Sequence, residues 1–214
     1  MALFRDRREA AELLADRLRR YAGRKDAVVL AVPRGGLPIG AVVARELGLP
    51  LDVILTKKIG HPENPEFAIG AVSLGAEDVD EQAVAREGVS RAWIAAETAR
   101  LRAVLRERAR FYRGAAPPVP LAGRTAIVVD DGIATGRTLR AALAPLRREG
   151  VRRVVVAAPV APPDAVRRLA EEADEVVVLD QPEDFAAIGQ FYEDFSQVSD
   201  AEAAALLRGA GEAR

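Results

Sequence analysis

The sequence predicts an α/β fold: a mainly parallel twisted sheet with flanking helices, a flexible flap after the second strand and a small C-terminal hood. Apolar runs of strand length at 27–32, 51–56, 125–129, 154–158 and 176–179 alternate with helical stretches, the order that gives parallel strands joined by crossover helices. Two of these runs end in Gly-containing turns, at 33–36 and 130–138, each followed at once by a helix. Half of the 214 residues are hydrophobic, so residues 1–214 can bury a substantial core as one domain with an appendage.

Each element has a local reason. Residues 5–20 form an amphipathic helix with Leu13, Leu14 and Leu18 on one side and interleaved Arg, Asp and Glu on the solvated side. The run 27–32 is apolar throughout, as a strand covered on both faces is, and a helix over 37–47 follows the turn Pro33-Arg34-Gly35-Gly36. Strand 51–56 leads into Lys57-Lys58 and then an excursion over 59–88. It holds Gly60, Pro62, Pro65, Gly70 and Gly75 and a short alternating piece at 66–74, and reads as a flap or hairpin. A long helix over 90–113 ends at Gly114, and Pro117, Pro118 and Pro120 stiffen the connector to strand 125–129. A helix over 136–149, strand 154–158, a helix over 164–172 and strand 176–179 complete the alternation. Residues 181–214 supply the hood and a C-terminal helix over 200–207.

The most specific stretch is Ile127-Val128-Val129-Asp130-Asp131-Gly132-Ile133-Ala134-Thr135-Gly136-Arg137-Thr138: apolar strand, two acids, Gly/Thr turn, helix. The turn gathers backbone N–H groups, the Thr135 and Thr138 hydroxyls and the positive end of a helix around one point, where an anion is favoured. Two carboxylates beside a phosphate would repel it unless they serve another part of the same ligand. A ribose 5-phosphate resolves the conflict: Asp130 and Asp131 accept from the 2- and 3-hydroxyls, the turn holds the phosphate, and a divalent cation balances charge. P-loop ATPases also carry acids at a strand end, but they need G-x-x-x-x-G-K-[ST] upstream, which the chain lacks. At the first turn, Gly35 and Gly36 let the backbone approach an anion, and Arg34 adds a guanidinium fork. Of 31 basic residues only Lys25, Lys57 and Lys58 are lysines, so the adjacent pair after strand 51–56 suggests a compact ammonium, Lys57 more than Lys58, at a pyrophosphate oxygen.

Residues 127–138 resemble the phosphoribosyl pyrophosphate (PRPP) loop of the type I phosphoribosyltransferases, whose pattern is an apolar run, two acids, two variable residues, a small or acidic residue and Thr-Gly-x-Thr. The resemblance implies that Asp130 and Asp131 bind the ribose diol, that Ala134, Thr135, Gly136, Arg137 and Thr138 wrap the 5-phosphate, and that Gly132 and Ile133 also belong to the PRPP site. Arg34, Gly35, Gly36, Lys57 and Lys58 then complete the PRPP site, with Arg34, Lys57, Asp130 and Asp131 as the catalytic set. In the family's pyrophosphate loop a non-proline cis peptide often turns amides toward the ligand, and a flap closes over the substrates to exclude water. The implied reaction moves 5-phosphoribosyl from PRPP to a nitrogenous base or related acceptor and releases pyrophosphate, with Mg2+ carried on PRPP and no dedicated metal cage on the protein. Relatives are usually homodimers. Ala134 stands where the 6-oxopurine enzymes have an Asp that serves as general acid/base, which speaks against hypoxanthine or guanine.

His61, at the base of the flap, and Glu66 are candidate general acid/base groups. The acids Glu63, Glu66, Glu77, Asp78, Asp80 and Glu81 around the flap disfavour an anionic acceptor such as orotate. Phe185, Phe191, Tyr192 and Phe195 fall in the segment where the family covers the base; Phe191 and Tyr192 are the candidates to stack on a planar acceptor, the others a local core. Residues 191–200 are similar to the ending of a bacterial subfamily, found alone or joined to hydrolase-like domains, whose acceptor is unassigned. The alternative reading is a non-catalytic PRPP-sensing regulatory or scaffold domain. Net charge is −1, against broad nucleic-acid binding, and no cysteine supplies a thiolate or disulfide. Charge follows the N-terminal Met1-Ala2-Leu3-Phe4 at once and no apolar run reaches about 18 residues, so a cytoplasmic protein without a membrane partner is expected.

Overall fold

The chain crosses one parallel sheet five times. The computed structural model describes residues 2–212; residues 1, 213 and 214, included in the single-domain and hood expectations, lie outside the described residues. In chain order the elements are α1 (Arg7–Arg17), β1 (Ala27–Ala31), α2 (Gly36–Leu47), β2 (Leu51–Val53), β3 (Lys57–Gly60), β4 (Ala68–Val72), β5 (Glu77–Val79), α3 (Glu81–Glu87) and α4 (Arg91–Arg113). There follow β6 (Thr125–Val129), α5 (Arg137–Arg148), β7 (Arg153–Val160), α6 (Pro163–Ala170), β8 (Glu175–Asp180) and α7 (Asp200–Glu212). Helix ends carry their expected signals: the Asp6, Asp80 and Ser90 side chains accept from the backbone N–H three residues on, and α2 stops at Gly48 in the left-handed region.

The sheet order is β2-β1-β6-β7-β8, with every pairing parallel. From β1 the chain steps to β2 on one side and later returns to β6 on the other, so the winding reverses between β1 and β6. A parallel sheet opens a crevice at the carboxyl ends of its strands at such a reversal. Ala31 lies opposite Val129, which brings the turns after these strands side by side.

Residues along each strand divide between two cores. Val29, Ala31, Ile127, Val129 and Val155 face a layer containing Leu14, Leu18, Leu37 and Leu105, while Val28, Leu30, Val128 and Val156 face Leu139, Leu143 and Leu169. Each such fully buried aliphatic side chain contributes about 1.5–3 kcal/mol. Leu13 departs from expectation: it is 47% exposed, and the buried side of α1 is Ala10, Ala11, Leu14 and Ala15. Small residues there bring α1 close to α2.

The excursion after the second strand is larger than a hairpin. β3, β4 and β5 form a separate three-stranded antiparallel sheet, and α3 follows. Its β4–β5 turn docks on the end of α5, where the Ser73 hydroxyl donates to Glu149 and Arg148 pairs with Asp78 at 3.1 Å. Glu149→Ala should therefore speed hydrogen exchange of the 73–78 amides about tenfold or more while hardly moving global melting, since a charged hydrogen bond contributes about 1.5–3 kcal/mol locally. Exchange mass spectrometry reads this directly; unchanged protection would show that the contact does not anchor the flap.

The C-terminal helix, expected over 200–207, runs over Asp200–Glu212. α7 packs on α2, α4 and β2, on the main layer. The Tyr112 hydroxyl at the end of α4 donates to Asp200 Oδ1 at 2.8 Å, and burial, then Asp200, pushes the phenol up from 10.0 to about 12. An acid whose folded pKa is raised loses stability as pH climbs from its unfolded to its folded value. Alkaline unfolding between pH 10 and about 12 should be shallower in Tyr112→Phe than in the unaltered protein, followed by circular dichroism.

Candidate functional site

The turns at 33–36 and 130–138 meet at the reversal of strand order. After β1, Val32 N–H donates to Val129 O at 2.9 Å, the Pro33–Arg34 peptide is cis, and Gly36 N–H returns to Val32 O at 3.0 Å. After β6 the chain leaves the sheet at Asp130, whose Oδ1 accepts from Asp131 N–H at 2.9 Å. The two turns touch. A Cβ on Gly36 would lie 2.6 Å from Val129 O, and one on Gly35 would overlap the Asp131 carboxylate. Glycine is required at both positions by close approach, which sets the first turn's backbone directly against the acid pair.

The acids occupy unequal environments. Asp131 is buried, and Arg7 grips its Oδ2 with Nε at 2.9 Å and Nη2 at 2.8 Å. The Tyr192 hydroxyl donates to Asp131 O at 2.6 Å. Crowding by protein, then the charge of Asp131, pushes the Asp130 carboxyl well above the usual range. Burial also raises Asp131, and the Arg7 hydrogen bond and charge pull it back. Two neighbouring carboxylates that resist simultaneous ionisation suit a ligand that brings hydroxyl donors and positive charge.

The turn beyond them is open. Ala134, Thr135, Arg137 and Thr138 are exposed, and Gly136, with φ 73°, starts α5. Among the described residues nothing accepts from the amides of Ala134, Thr135, Gly136 or Thr138, so four donors and two hydroxyls surround the positive end of α5. This arrangement can hold a phosphate dianion.

Arg34 is half-buried in the first turn, forms no ion pair among the described residues, and lies close enough to the Tyr112 phenol for its charge to act there. Lys57 and Lys58 begin β3 of the flap sheet rather than ending a strand of the main sheet. Lys58 pairs with Glu66 at 2.8 Å, and Arg137 also helps hold the Glu66 carboxyl below its ordinary range, so this side of the flap faces the phosphate turn. Lys57, the next residue on an extended strand, takes the opposite side and has no partner among the described residues. His61 serves its own loop: Nδ1 accepts from Glu63 N–H at 3.2 Å and the ring tilts against Phe67.

The stacking role expected of Phe191 and Tyr192 needs correction. Each is only 5% exposed. Phe191 packs on Phe185 at 4.9 Å, and Tyr192 is held between Phe4 at 5.4 Å and Phe195 at 5.0 Å, leaving neither ring a face for a ligand. Burial and the nearby Asp131 push the Tyr192 phenol far up, consistent with a neutral prop under Asp131.

Arg7 is the residue that sequence reasoning missed. It sits in Arg5-Asp6-Arg7-Arg8, which reads as a solvated helix start, and only a contact spanning 124 residues distinguishes it from its neighbours. A wide groove of about 1370 Å3, lined by Pro38, Leu49, Pro117, Val198 and Leu206, reaches Arg7 behind Asp131 but contains neither acid of the pair nor the phosphate turn. We place the chemistry at the crevice, where the acids, amides and helix end converge. Among the described residues, no three His, Cys, Asp or Glu side chains gather as a metal cluster.

Residues 5–196 match the family model for a phosphoribosyl transferase domain. A Mycobacterium tuberculosis protein provisionally named a phosphoribosyl transferase is 43% identical over 208 residues, 97% of this chain but 47% of its own length. The chain thus spans about half of that curated relative. The crystal structure of TT1426 from Thermus thermophilus is 47% identical with a TM-score of 0.86, covering 98% of this chain and 99% of that one. A hypothetical protein from Neisseria gonorrhoeae, solved with bound ppGpp, shares the fold at 16% identity and a TM-score of 0.52, covering 98% of this chain and 96% of that one.

Proposed function

Because the chain belongs to the phosphoribosyl transferase domain family, we propose that it transfers the 5-phosphoribosyl group of PRPP to a nitrogenous acceptor and releases pyrophosphate. The observation that carries this reading is the contact between the Gly35-Gly36 backbone and the Asp130-Asp131 pair at the reversal of strand order. It supports one ligand bridging both turns. The acid pair takes the ribose hydroxyls, the amides of 134–138 with Thr135 and Thr138 take the 5-phosphate, and Arg34 with the first turn's amides faces the pyrophosphate.

Displacement at C1 needs positioning and charge stabilisation more than covalent help, and fixed amides and guanidinium groups supply both without reorganising. Magnesium fits this site, since a cation relieves a carboxyl pair whose members oppose each other's ionisation. Held mainly on ligand oxygens and water beside Asp130 and Asp131, it would neutralise the departing pyrophosphate. Of the two flap lysines, Lys58 stands on the side toward the phosphate turn, so Lys58 rather than Lys57 is the ammonium available to join Arg34 on closure. Ala134 favours acceptors other than 6-oxopurines, and the enclosed Phe191 and Tyr192 rings favour an acceptor gripped by its edges rather than stacked on the hood.

Pyrophosphate release from labelled PRPP and magnesium, screened over a panel of nitrogenous acceptors, tests the activity. At least one acceptor should release pyrophosphate, and release should fall at least about tenfold in Arg34→Ala, given the worth of one oxyanion-type donor. PRPP binding with no release from any acceptor would instead favour a sensing domain.

A further inference from the structure

The N-terminal helix reaches the acid pair through one side chain, which the hood also touches. Arg7, the first residue of α1, turns all three guanidinium nitrogens inward: Nε and Nη2 on Asp131 Oδ2, and Nη1 on Ser196 O at 2.7 Å. Its guanidinium lies 3.9 Å from the centre of the Phe195 ring, and only 12% of the side chain is exposed. A planar cation fixed at three points cannot drift, so the carboxylate it grips is fixed too. Both contacts fall on Oδ2, which leaves Oδ1 outside the guanidinium's grip.

We propose that Arg7 is a positioning residue for the diol-binding pair: it fixes the Asp131 carboxyl group and turns Oδ1 toward the crevice while the hood braces it from behind. This rests on the reading of Asp130 and Asp131 as ribose ligands. The groups facing Asp131 are Arg7 from α1, Asp130 from its own turn and the Tyr192 phenol from the hood; Asp194 of the hood faces Arg7. Only Arg7 among them is a cation. Without it, Asp131 would share a crowded site with a second acid, and its carboxyl would hold its proton to higher pH.

The test uses the intact protein with Arg7→Met and, should that variant fold poorly, Arg7→Lys, which keeps the charge but not the fork. In the absence of ligand, carbon-detected NMR should place the Asp131 carboxyl midpoint higher in Arg7→Met by about one to three on the pH scale, and less in Arg7→Lys. PRPP affinity in magnesium buffer should fall in Arg7→Met, and the loss should shrink as pH rises, because the accepting form returns as Asp131 ionises. A midpoint that does not move overturns the proposal, as does an affinity loss of equal size from pH 6 to pH 9, the mark of a merely structural role. If PRPP fails to bind the unaltered protein, the ligand reading falls and the diol role of Arg7 falls with it, whereas the ligand-free titration still reports whether Arg7 keeps Asp131 ionised.

Discussion

Asp130→Asn is expected to make the protein more stable at neutral pH and much poorer at holding PRPP. The Asp130 carboxyl is raised well above its ordinary range by crowding and by Asp131, so its charged form opposes folding. For an acid with a raised folded pKa, the unfolded chain releases the proton first, and stability falls as pH rises from the unfolded value near 4 through the folded one. Asn removes this burden while keeping the shape and an acceptor for Asp131 N–H. Melting temperature at pH 7 should rise by about 2–4 °C for each kcal/mol relieved, and the gain should vanish near pH 4, where both proteins are uncharged at this position. PRPP affinity should drop about 10- to 100-fold, the worth of a charge-assisted hydrogen bond. Asp131→Asn should differ: it strips Arg7 of its buried partner and should lower the melting temperature as well as affinity. If Asp130→Asn instead unfolds several degrees earlier at pH 7, Asp130 supports the fold and the assignment is wrong.

Gly36→Ala and Gly35→Ala should separate the scaffold from the site. A Cβ at Gly36 meets the backbone of β6 at Val129 O, 2.6 Å away, and 3.1 Å from Asp130 Cα. Backbone cannot rotate aside, so one of the two central strands must shift, destabilising the protein by about 1–3 kcal/mol or more. At Gly35 the obstacle is the Asp131 carboxylate, the end of a side chain. Displacing it breaks the Arg7 grip and spoils the diol site, so binding should fall at least about tenfold with a smaller loss of stability than in Gly36→Ala. Chemical denaturation and PRPP binding on both variants check the contrast; an Ala at Gly35 that binds PRPP normally would mean that the two turns do not share a ligand.

The parts of this architecture that were legible in the sequence are those fixed by local chemistry. Strand β6 runs over the residues its apolar run marks, because Arg124 and Asp130 bound it and both faces are covered. The paired acids and Thr-Gly-x-Thr turn were legible for the same reason: phosphate-binding turns use consecutive amides and a helix end, all within a few residues. Other features depend on contacts distant in the chain. Residues 54 and 55 are buried and apolar, which looks like strand, yet β2 ends at Val53; burial alone does not supply a ladder partner. Lys57 and Lys58 then begin the flap sheet, a change of sheet that no composition signal marks. Phe191 and Tyr192 are aromatic in the expected place, but whether a ring faces ligand or core is decided by Phe4, nearly the whole chain away. Arg7 is the extreme case, one of 28 arginines and singled out only by Asp131 and Phe195.

Equilibrium dialysis of the intact protein against labelled PRPP in magnesium buffer tests the central claim most directly, namely that the two turns form one site for a sugar carrying phosphate at one end and pyrophosphate at the other. The account predicts one saturable site per chain, displaced by unlabelled pyrophosphate and by ribose 5-phosphate, each from its own end. Retention no greater than that of the Asp130→Asn, Asp131→Asn double variant, up to millimolar PRPP, would contradict it.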